Sequence, residues 1–489
     1  MQKILVVAAL VLGAATAACY GTYSGGSTAA GDDGGDAFGA EGGVVGSEGG
    51  VVSSSITWNH DIQPLMVTHC QGCHVAGGIA PMPLVTYQDG KTFGASIKDK
   101  TGSRAMPPWG AIATSTCKPR FGWKDNPSLT DAQIAMIASW VDGGMQEGAA
   151  SDLKNTAPPA PVDLKSPTDK LKPAAPYSLS GSNDQYRCFV FDPKLTTTMY
   201  MNGSHVLPGN ATTVHHVLMY AVAGGTAAIT QPLDASGSYE CFGGPGLAQT
   251  DLVAAWAPGG MPTEFPADVG IPLAAGTALV MQIHYHPHTD ANPAPDATTF
   301  EMRLTPQKPT YFIAPKLIGN FPKGAVNGIG LLPDPDDRNG TPEFRIPANA
   351  KNHMETMVFT LPQALAAAQP RIYGVGAHMH LVGVNEQVTL KRAAPSAANP
   401  ADECLVSVPA WDFNWQRRYD YATDISTLPL VSAGDVMTIA CNYNNTMQNA
   451  AVANSLLAQG LKTPSDVVLG ETTNDEMCLA NVDFIYKAP

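Results

Sequence analysis

The sequence predicts a mainly β chain, with two tandem jelly-roll β-sandwich domains preceded by a small all-α domain. Three observations predict it. From Pro176 onward, short segments of alternating apolar and polar residues recur between Gly, Pro and Asn turns, the pattern of half-buried antiparallel strands. Gly (48) and Pro (40) are abundant while charged residues are only 14%, which suits turn-rich β structure better than long helices. Between Ile56 and Glu147 the apolar spacing is helical instead.

The N-terminus, MQKILVVAALVLGAATAAC, places Lys3 before an apolar run from Ile4 to Leu12 and small residues before Cys19. This is the layout of an export signal over 1–19. The run is too short to cross a bilayer. Two processing sites compete. Cleavage after Ala17 gives a soluble periplasmic protein. Cleavage before Cys19 gives a lipoprotein, attached to the outer membrane or cell surface through that cysteine. Thr16 stands where such a lipid signal usually has leucine. Residues 20–55 are almost all Gly, Ser, Ala, Val and acidic, so they cannot bury a core and read as a flexible tether.

Residues 56–147 are the expected all-α unit. Its last segment, LTDAQIAMIASWVDGGM, starts a helix at Thr130 or Asp131. Ile134, Met136, Ile137, Trp140 and Val141 repeat at helical spacing, and Gly143-Gly144 stop it. A Pro- and Lys-rich linker is expected over 148–175. The strands that follow are YRCFVF, VHHVLMYAV, ALVMQIHYH, METMVFTL, RIYGVGAHMHL, VMTIACNYN and NVDFIYK. The stretch is too long for one sandwich, and it divides near Lys308-Pro309 into domains 176–307 and 308–489. The net charge of -14 argues against nucleic acid as a partner.

Within the helical unit, Cys70, Cys73 and His74 form C-x-x-C-H. Two thiols at this spacing attach the vinyl groups of one haem c, and the adjacent imidazole supplies an axial nitrogen. The closing helix resembles that of small class I cytochromes c. Met106, in AMPPWG, resembles their distal methionine, a ligand that favours electron transfer over oxygen chemistry. Met82, in IAPMPL, is the rival, and His60 and His69 read as surface residues.

Further along, ligand-type residues fall in three clusters and one methionine: His215-His216, His284, His378-x-His380 and Met477. Imidazole suits several transition metals, whereas a thioether selects Cu(I). Two histidines plus a methionine without a ligating cysteine therefore point to copper. His378 and His380, two apart on a strand, share a face. His215 and His216 are adjacent and would face opposite sides, so both can bind one ion only where the strand bulges or ends.

In order, HH…QxHY…HxH…DEMC resembles the copper type II, ascorbate-dependent monooxygenase family over roughly residues 176–489. The resemblance implies two jelly-roll domains with one copper each. It implies that His215, His216 and His284 hold an electron-transfer copper, with Gln282 near it. His378, His380 and Met477 would then hold the copper that meets O2 and a small-molecule substrate. It implies disulfides Cys188–Cys241 and Cys441–Cys478, leaving Cys117 and Cys404 unassigned. An ascorbate-like reductant or a redox protein would supply electrons, with the fused haem as a relay. A non-catalytic haem and copper electron-transfer or copper-binding protein is the alternative. Two positions depart from the peptide-hydroxylating members: Gly376 stands where they carry an arginine, and Asn481 where they carry a tyrosine. The implied substrate is therefore different from theirs. His205, His286, His288 and His353 match no ligand position and read as solvent-facing or supporting residues.

Overall fold

The structure is a computed structural model that describes residues 56–76, 80–154, 163–180, 184–258, 260–285, 293–413 and 415–489. The export signal, Cys19 and the tether lie outside the described residues, as do His286 and His288. The chain forms two compact units. One contains residues 56–103 and 129–154, and the other contains 104–128 and the described residues from 163 onward.

The first unit is helical. Gln63–His69, Tyr87–Gly102 and Asp131–Asp142 are its α-helices. Thr86 and Thr130 each close a capping box, with Asp89 and Gln133, satisfying backbone donors at the helix starts. The last helix thus begins after Thr130 and ends at Gly143, as its spacing predicts. Trp58, Ile62, Met66, Leu84, Ile97, Leu129, Ile137 and Trp140 make the core. Gly90 is needed there, because a Cβ would sit 2.1 Å from the Trp58 ring.

The second unit is built on one nine-stranded sheet. Its path runs Asp169–Leu171, Thr299–Thr305, Met199–Leu207, Val269–Leu273, Tyr311–Gly319, Leu479–Lys487, Arg371–His378 and Arg418–Asp420. Thr263–Glu264 pairs with Met199–Leu207 off this path. A first five-stranded sheet is ordered Ser238–Glu240, Gln185–Phe191, Ala278–Tyr285, Val214–Val222, Thr250–Trp256. A second is ordered Ile329–Leu331, His353–Thr360, Val436–Tyr443, Gly383–Lys391, Asp402–Val408. Val217, Met219 and Ile283 of the first share a core with Met201, Phe300 and Met302 of the long sheet. Met357, Val388 and Ile439 of the second share it with Ile372, Val375 and Phe484. The central strand Ala278–Tyr285 is buried at every residue, which explains its nearly unbroken apolar run.

Two sandwich halves are therefore present, but they are not separate bodies strung on a linker. The parallel pair of Tyr311–Gly319 and Val269–Leu273 makes their common layer one sheet. The expected linker also differs. Asp169–Leu171 is an edge strand, with Asp169 opposite Met302, and Leu164 is buried. Leu164 and Pro173 are buried in this otherwise polar stretch, and Leu171 is partly buried on the sheet edge.

The expected 56–147 unit divides as well, since residues 104–128, with Met106, cluster with the β unit. Aromatic packing explains it. Trp109 meets Tyr419 edge-on at 4.9 Å, and Trp123 stacks on Tyr421 at 5.0 Å. Cys117 bonds Cys404, which resolves the two cysteines left unassigned by sequence. Cys188–Cys241 and Cys441–Cys478 form as the resemblance implies.

The Cys117–Cys404 bridge closes a loop with a sequence separation of 287. The double variant Cys117→Ser/Cys404→Ser should lose about 2–4 kcal/mol of stability, chiefly by freeing the unfolded chain. Denaturant unfolding checks this, and a variant as stable as the parent would show that aromatic packing alone holds the segment.

Candidate metal centres

The first cluster depends on an irregular strand. In Val214–Val222 the pairing with Ala278–Tyr285 shifts between Val214, opposite Tyr285, and His216, opposite His284. This bulge lets two consecutive histidines turn to one side. His215, His216 and His284 are all buried, and their ligand atoms lie within 4.8 Å of one another. The Nδ1 atoms of His215 and His216 are 3.2 Å apart. That suits two nitrogens each about 2.0–2.1 Å from a shared ion. Burial first, and then His284, His378 and His380, hold His216 well below the usual imidazole range. It is therefore neutral and able to ligate. Its Nε2 is buried with no hydrogen-bond partner.

The walls of this cluster are specific. Tyr186, opposite His284 across the ladder, stacks on its ring at 4.3 Å and 10°. Asp184 Oδ2 lies 3.5 Å from His284 Nε2. Phe413 stacks on His215 at 5.3 Å. Gln282, buried two residues before His284, donates through Nε2 to Cys241 Sγ at 3.6 Å.

His378 and His380 come together at a strand end. The strand Arg371–His378 stops at the first of them, so their convergence does not arise from strand alternation alone. Their rings lie 5.3 Å apart and nearly perpendicular. His378 Nδ1 lies 2.7 Å from Gln416 Oε1, and His380 Nδ1 lies 3.0 Å from the Asp475 carbonyl oxygen. An Nδ1–H donated to each oxygen leaves Nε2 as the ligating atom. Burial pushes His378 down to about 4, against the opposing effect of Gln416.

Met477 is joined to His380 through the backbone. Glu476 Oε1 accepts from the His380 and Met477 amides, and Oε2 accepts from Val382 N at 3.1 Å. Burial pushes the Glu476 carboxyl up to about 8. A second buried carboxylate, Glu386, accepts from His378 N at 3.0 Å. The Met477 side chain is buried in an apolar cluster with Tyr186, Cys188, Tyr239 and Cys241. Tyr443 Oη donates to its carbonyl at 2.7 Å, and Cys478 beside it is bridged to Cys441. Phe413 lies 6.5 Å from the His380 ring as well as against His215, so one phenyl ring touches both clusters.

Sequence reasoning missed Glu386, Glu476, Gln416 and Phe413. A signal existed for Glu386: it shares the inward register of Val388 and Leu390 in Gly383–Lys391, where a carboxylate is out of place unless it has a task. The departure at Gly376 also has a local cause. A Cβ there would meet the Arg417 carbonyl oxygen at 2.8 Å, so no side chain fits. Asn481 pairs with Gly376 across the ladder. His205 is half-buried, whereas His353 is buried among carboxylates rather than facing solvent.

In the helical unit, Cys70 and Cys73 carry thiols rather than a disulfide. Burial, then Cys73, pushes the Cys70 thiol up to about 12. His74 Nδ1 lies 3.0 Å from the Met82 carbonyl oxygen, an arrangement that leaves Nε2 available for axial ligation. His60 is exposed and paired with Asp61, while His69 Nε2 lies 3.3 Å from Gln133 Nε2. Met106 is not in the unit that carries C-x-x-C-H.

Residues 174–292 match the copper type II ascorbate-dependent monooxygenase N-terminal domain. A putative DBH-like monooxygenase protein 2 of Homo sapiens is 24% identical over 63% of this chain and 51% of its own. Dopamine beta-hydroxylase of Canis lupus familiaris is 23% identical over 58% of this chain and 42% of its own. These matches support the copper type II monooxygenase family. The chain spans about half the length of the curated relatives it matches. A solved structure of naturally occurring empty cowpea mosaic virus particles aligns with 65% of this chain and 90% of its own, at 9% identity. Its TM-score is 0.22, too low to bear on the fold.

Two outcomes follow from this geometry. Glu476→Gln keeps the volume but turns one acceptor oxygen into a donor facing backbone N–H groups. It should weaken copper binding by the His378/His380 pair about 10–100-fold, as loss of supporting hydrogen bonds does elsewhere. Competitive copper titration should show the His215/His216/His284 cluster unaffected; equal weakening of both would mean general loosening instead. The second concerns pH. Because the folded-state pKa of His378 is depressed, its stabilising contribution is present above the unfolded value near 6.5 and is lost as pH falls towards about 4. Metal-free protein should lose up to about 1.4 kcal/mol per pH unit from this group over that window. Glu476, with a raised value, acts in the opposite sense, so the difference between parent and His378→Gln isolates the effect. Denaturant midpoints at several pH values with identical slopes for both proteins would contradict it.

Proposed function

We propose that the chain is an exported copper-dependent monooxygenase. It hydroxylates a C–H bond of a small organic substrate with O2, and a covalently bound haem c relays the electrons. The reaction balances as R–H + O2 + 2 e⁻ + 2 H⁺ → R–OH + H2O. The observation that carries the reading is the pair of histidine clusters, the first fully buried and the second half-buried at His378, with Phe413 against both. Bound copper would supply one-electron transfer and O2 activation.

The residues divide the work by donor type. His215, His216 and His284 offer three imidazoles and no thioether, which suits an ion that passes electrons. His378 and His380 would form the softer set together with the Met477 thioether, a donor set that favours Cu(I) and hence O2 binding. Gln416 and the Asp475 carbonyl fix the Nδ1 sides of the second pair. Glu386 and Glu476 hold its backbone. Tyr186 and Phe413 pack directly on the imidazoles of the first cluster and limit water there. With no side chain possible at Gly376, a substrate carboxylate is not gripped from that strand position. This supports a substrate other than a glycine-extended peptide.

Cys70 and Cys73 would form the thioethers to haem, and His74 Nε2 the axial bond. An ascorbate-like reductant or a redox protein would feed the relay. Three disulfides suit an oxidising compartment, which supports an exported protein. Cleavage after Ala17 would leave it soluble in the periplasm, and cleavage before Cys19 would anchor it at the outer membrane or cell surface through that cysteine.

The test is copper and covalent haem per chain, with reductant-dependent O2 uptake, in the full chain and in His378→Ala. The expected result is two coppers falling to one in the variant, unchanged haem, and loss of O2 uptake. Failure to bind copper specifically, or undiminished uptake in the variant, overturns the proposal.

A further inference from the structure

Away from both clusters, one histidine is buried among carboxylates. His353 and Glu355 are the first and third residues of the strand His353–Thr360, so both side chains lie on one face. Asp334 and Asp336 come from the turn that follows Ile329–Leu331. His353 Nε2 is 3.0 Å from Glu355 Oε1 and 3.8 Å from Asp334 Oδ2, while its Nδ1 is 3.3 Å from Asp336 Oδ1. One ligand atom each from Asp334, His353 and Glu355 lies within 4.8 Å of the other two.

Charge and burial make this arrangement costly as it stands. The Glu355 side chain is fully buried, and its Oε2 has no hydrogen-bond partner. Such a buried, unsatisfied oxygen costs on the order of 1–3 kcal/mol, and more when charged. The nearest guanidinium does not offset it. Arg345 pairs with Asp336, Glu343 and Asp466, and reaches Glu355 only through its backbone N–H. Even a protonated His353 would leave Asp334 and Glu355 facing one positive charge, with Asp336 answered by Arg345.

We propose that Asp334, His353 and Glu355 bind a divalent cation of the zinc type. One imidazole nitrogen with two carboxylate oxygens is a donor set that zinc accepts at about 2.0–2.2 Å. Calcium takes oxygen ligands almost alone, and Cu(I) prefers softer donors. The ion would give Glu355 Oε2 its missing partner and pin the 332–337 turn to the strand. That strand pairs His353 with Tyr443, whose hydroxyl holds the Met477 carbonyl. The site would thus brace the second sandwich half without taking part in the chemistry at either histidine cluster.

The test uses chelator-stripped full chain titrated with Zn2+, with bound zinc counted after dialysis and melting followed with and without the metal. His353→Gln and Asp334→Asn should each lose one zinc equivalent and the zinc-induced rise in Tm. His216→Ala and His378→Ala should keep that equivalent. Asp334 is partly exposed, so its variant should fold even where Glu355→Gln does not. Zinc uptake equal to the parent in both His353→Gln and Asp334→Asn overturns the proposal. So does loss of all tight zinc in His216→Ala. The His353→Gln and Asp334→Asn result does not depend on whether the copper reading holds, since both residues lie outside the two histidine clusters.

Discussion

Four buried imidazoles, the half-buried His378 and the buried Met477 side chain in one unit must be kept neutral and held in place, and the rest of the β unit depends on that constraint. Burial alone disfavours the imidazolium form and so keeps His216 and His378 ready to bind a cation. It does not orient them. Orientation comes from groups that are themselves expensive to bury: the Gln416 amide, the Asp475 carbonyl, and the Glu386 and Glu476 carboxylates. Each is tolerated because a backbone N–H or an imidazole N–H answers it. Glu476 is the most economical of them, since one carboxylate holds the segments of both His380 and Met477.

The long sheet explains how these segments stay in register. Leu479–Lys487, directly after Met477, is paired on one side with Tyr311–Gly319 and on the other with Arg371–His378. The methionine and the first histidine are therefore delivered by adjacent strands, with His378 opposite Leu479. The Cys441–Cys478 bridge then ties the same point to the second five-stranded sheet. In the other half, Cys188–Cys241 joins neighbouring strands of the first five-stranded sheet, beside Tyr186, the residue that stacks on His284. Both covalent ties thus fall next to ligand-bearing segments rather than at the periphery.

Much of this was legible in the sequence, for physical reasons. Strand periodicity exposed the β-rich region, and adjacency of His215 and His216 meant that both could share an ion only where the strand bulges or ends; the ladder shift between Val214 and His216 is such a bulge. Ligand chemistry grouped Met477 with His378 and His380; the structure links it to His380 through Glu476 and buries its side chain beside Tyr186, Cys188, Tyr239 and Cys241. What stayed hidden were long-range pairings. Nothing local to Trp109, Cys117 or Trp123 indicates that they pack on Tyr419, Cys404 and Tyr421. Phe413 reads as an ordinary apolar residue until the chain places it against both clusters. His353 lacked a signal for a related reason, because its partner Glu355 is two residues away but Asp334 and Asp336 arrive from a separate turn.

The position of Gly376 shows how backbone packing can limit chemistry. Its strand is flanked by Leu479–Lys487 and Arg418–Asp420, and the Arg417 carbonyl closes over the space a Cβ would take. A charged side chain cannot be restored there by substitution alone, since the short strand Arg418–Asp420 would have to move first. Arg418 in turn is held by Asp420 and by buried Asp483, which burial pushes up to about 6 while Arg418 opposes it. Moving that strand would therefore leave a buried carboxylate without its cation, a far larger penalty than a surface ion pair carries. Under the proposed function, substrate recognition would fall to other segments around the two clusters, because a backbone contact closes this strand position to any side chain.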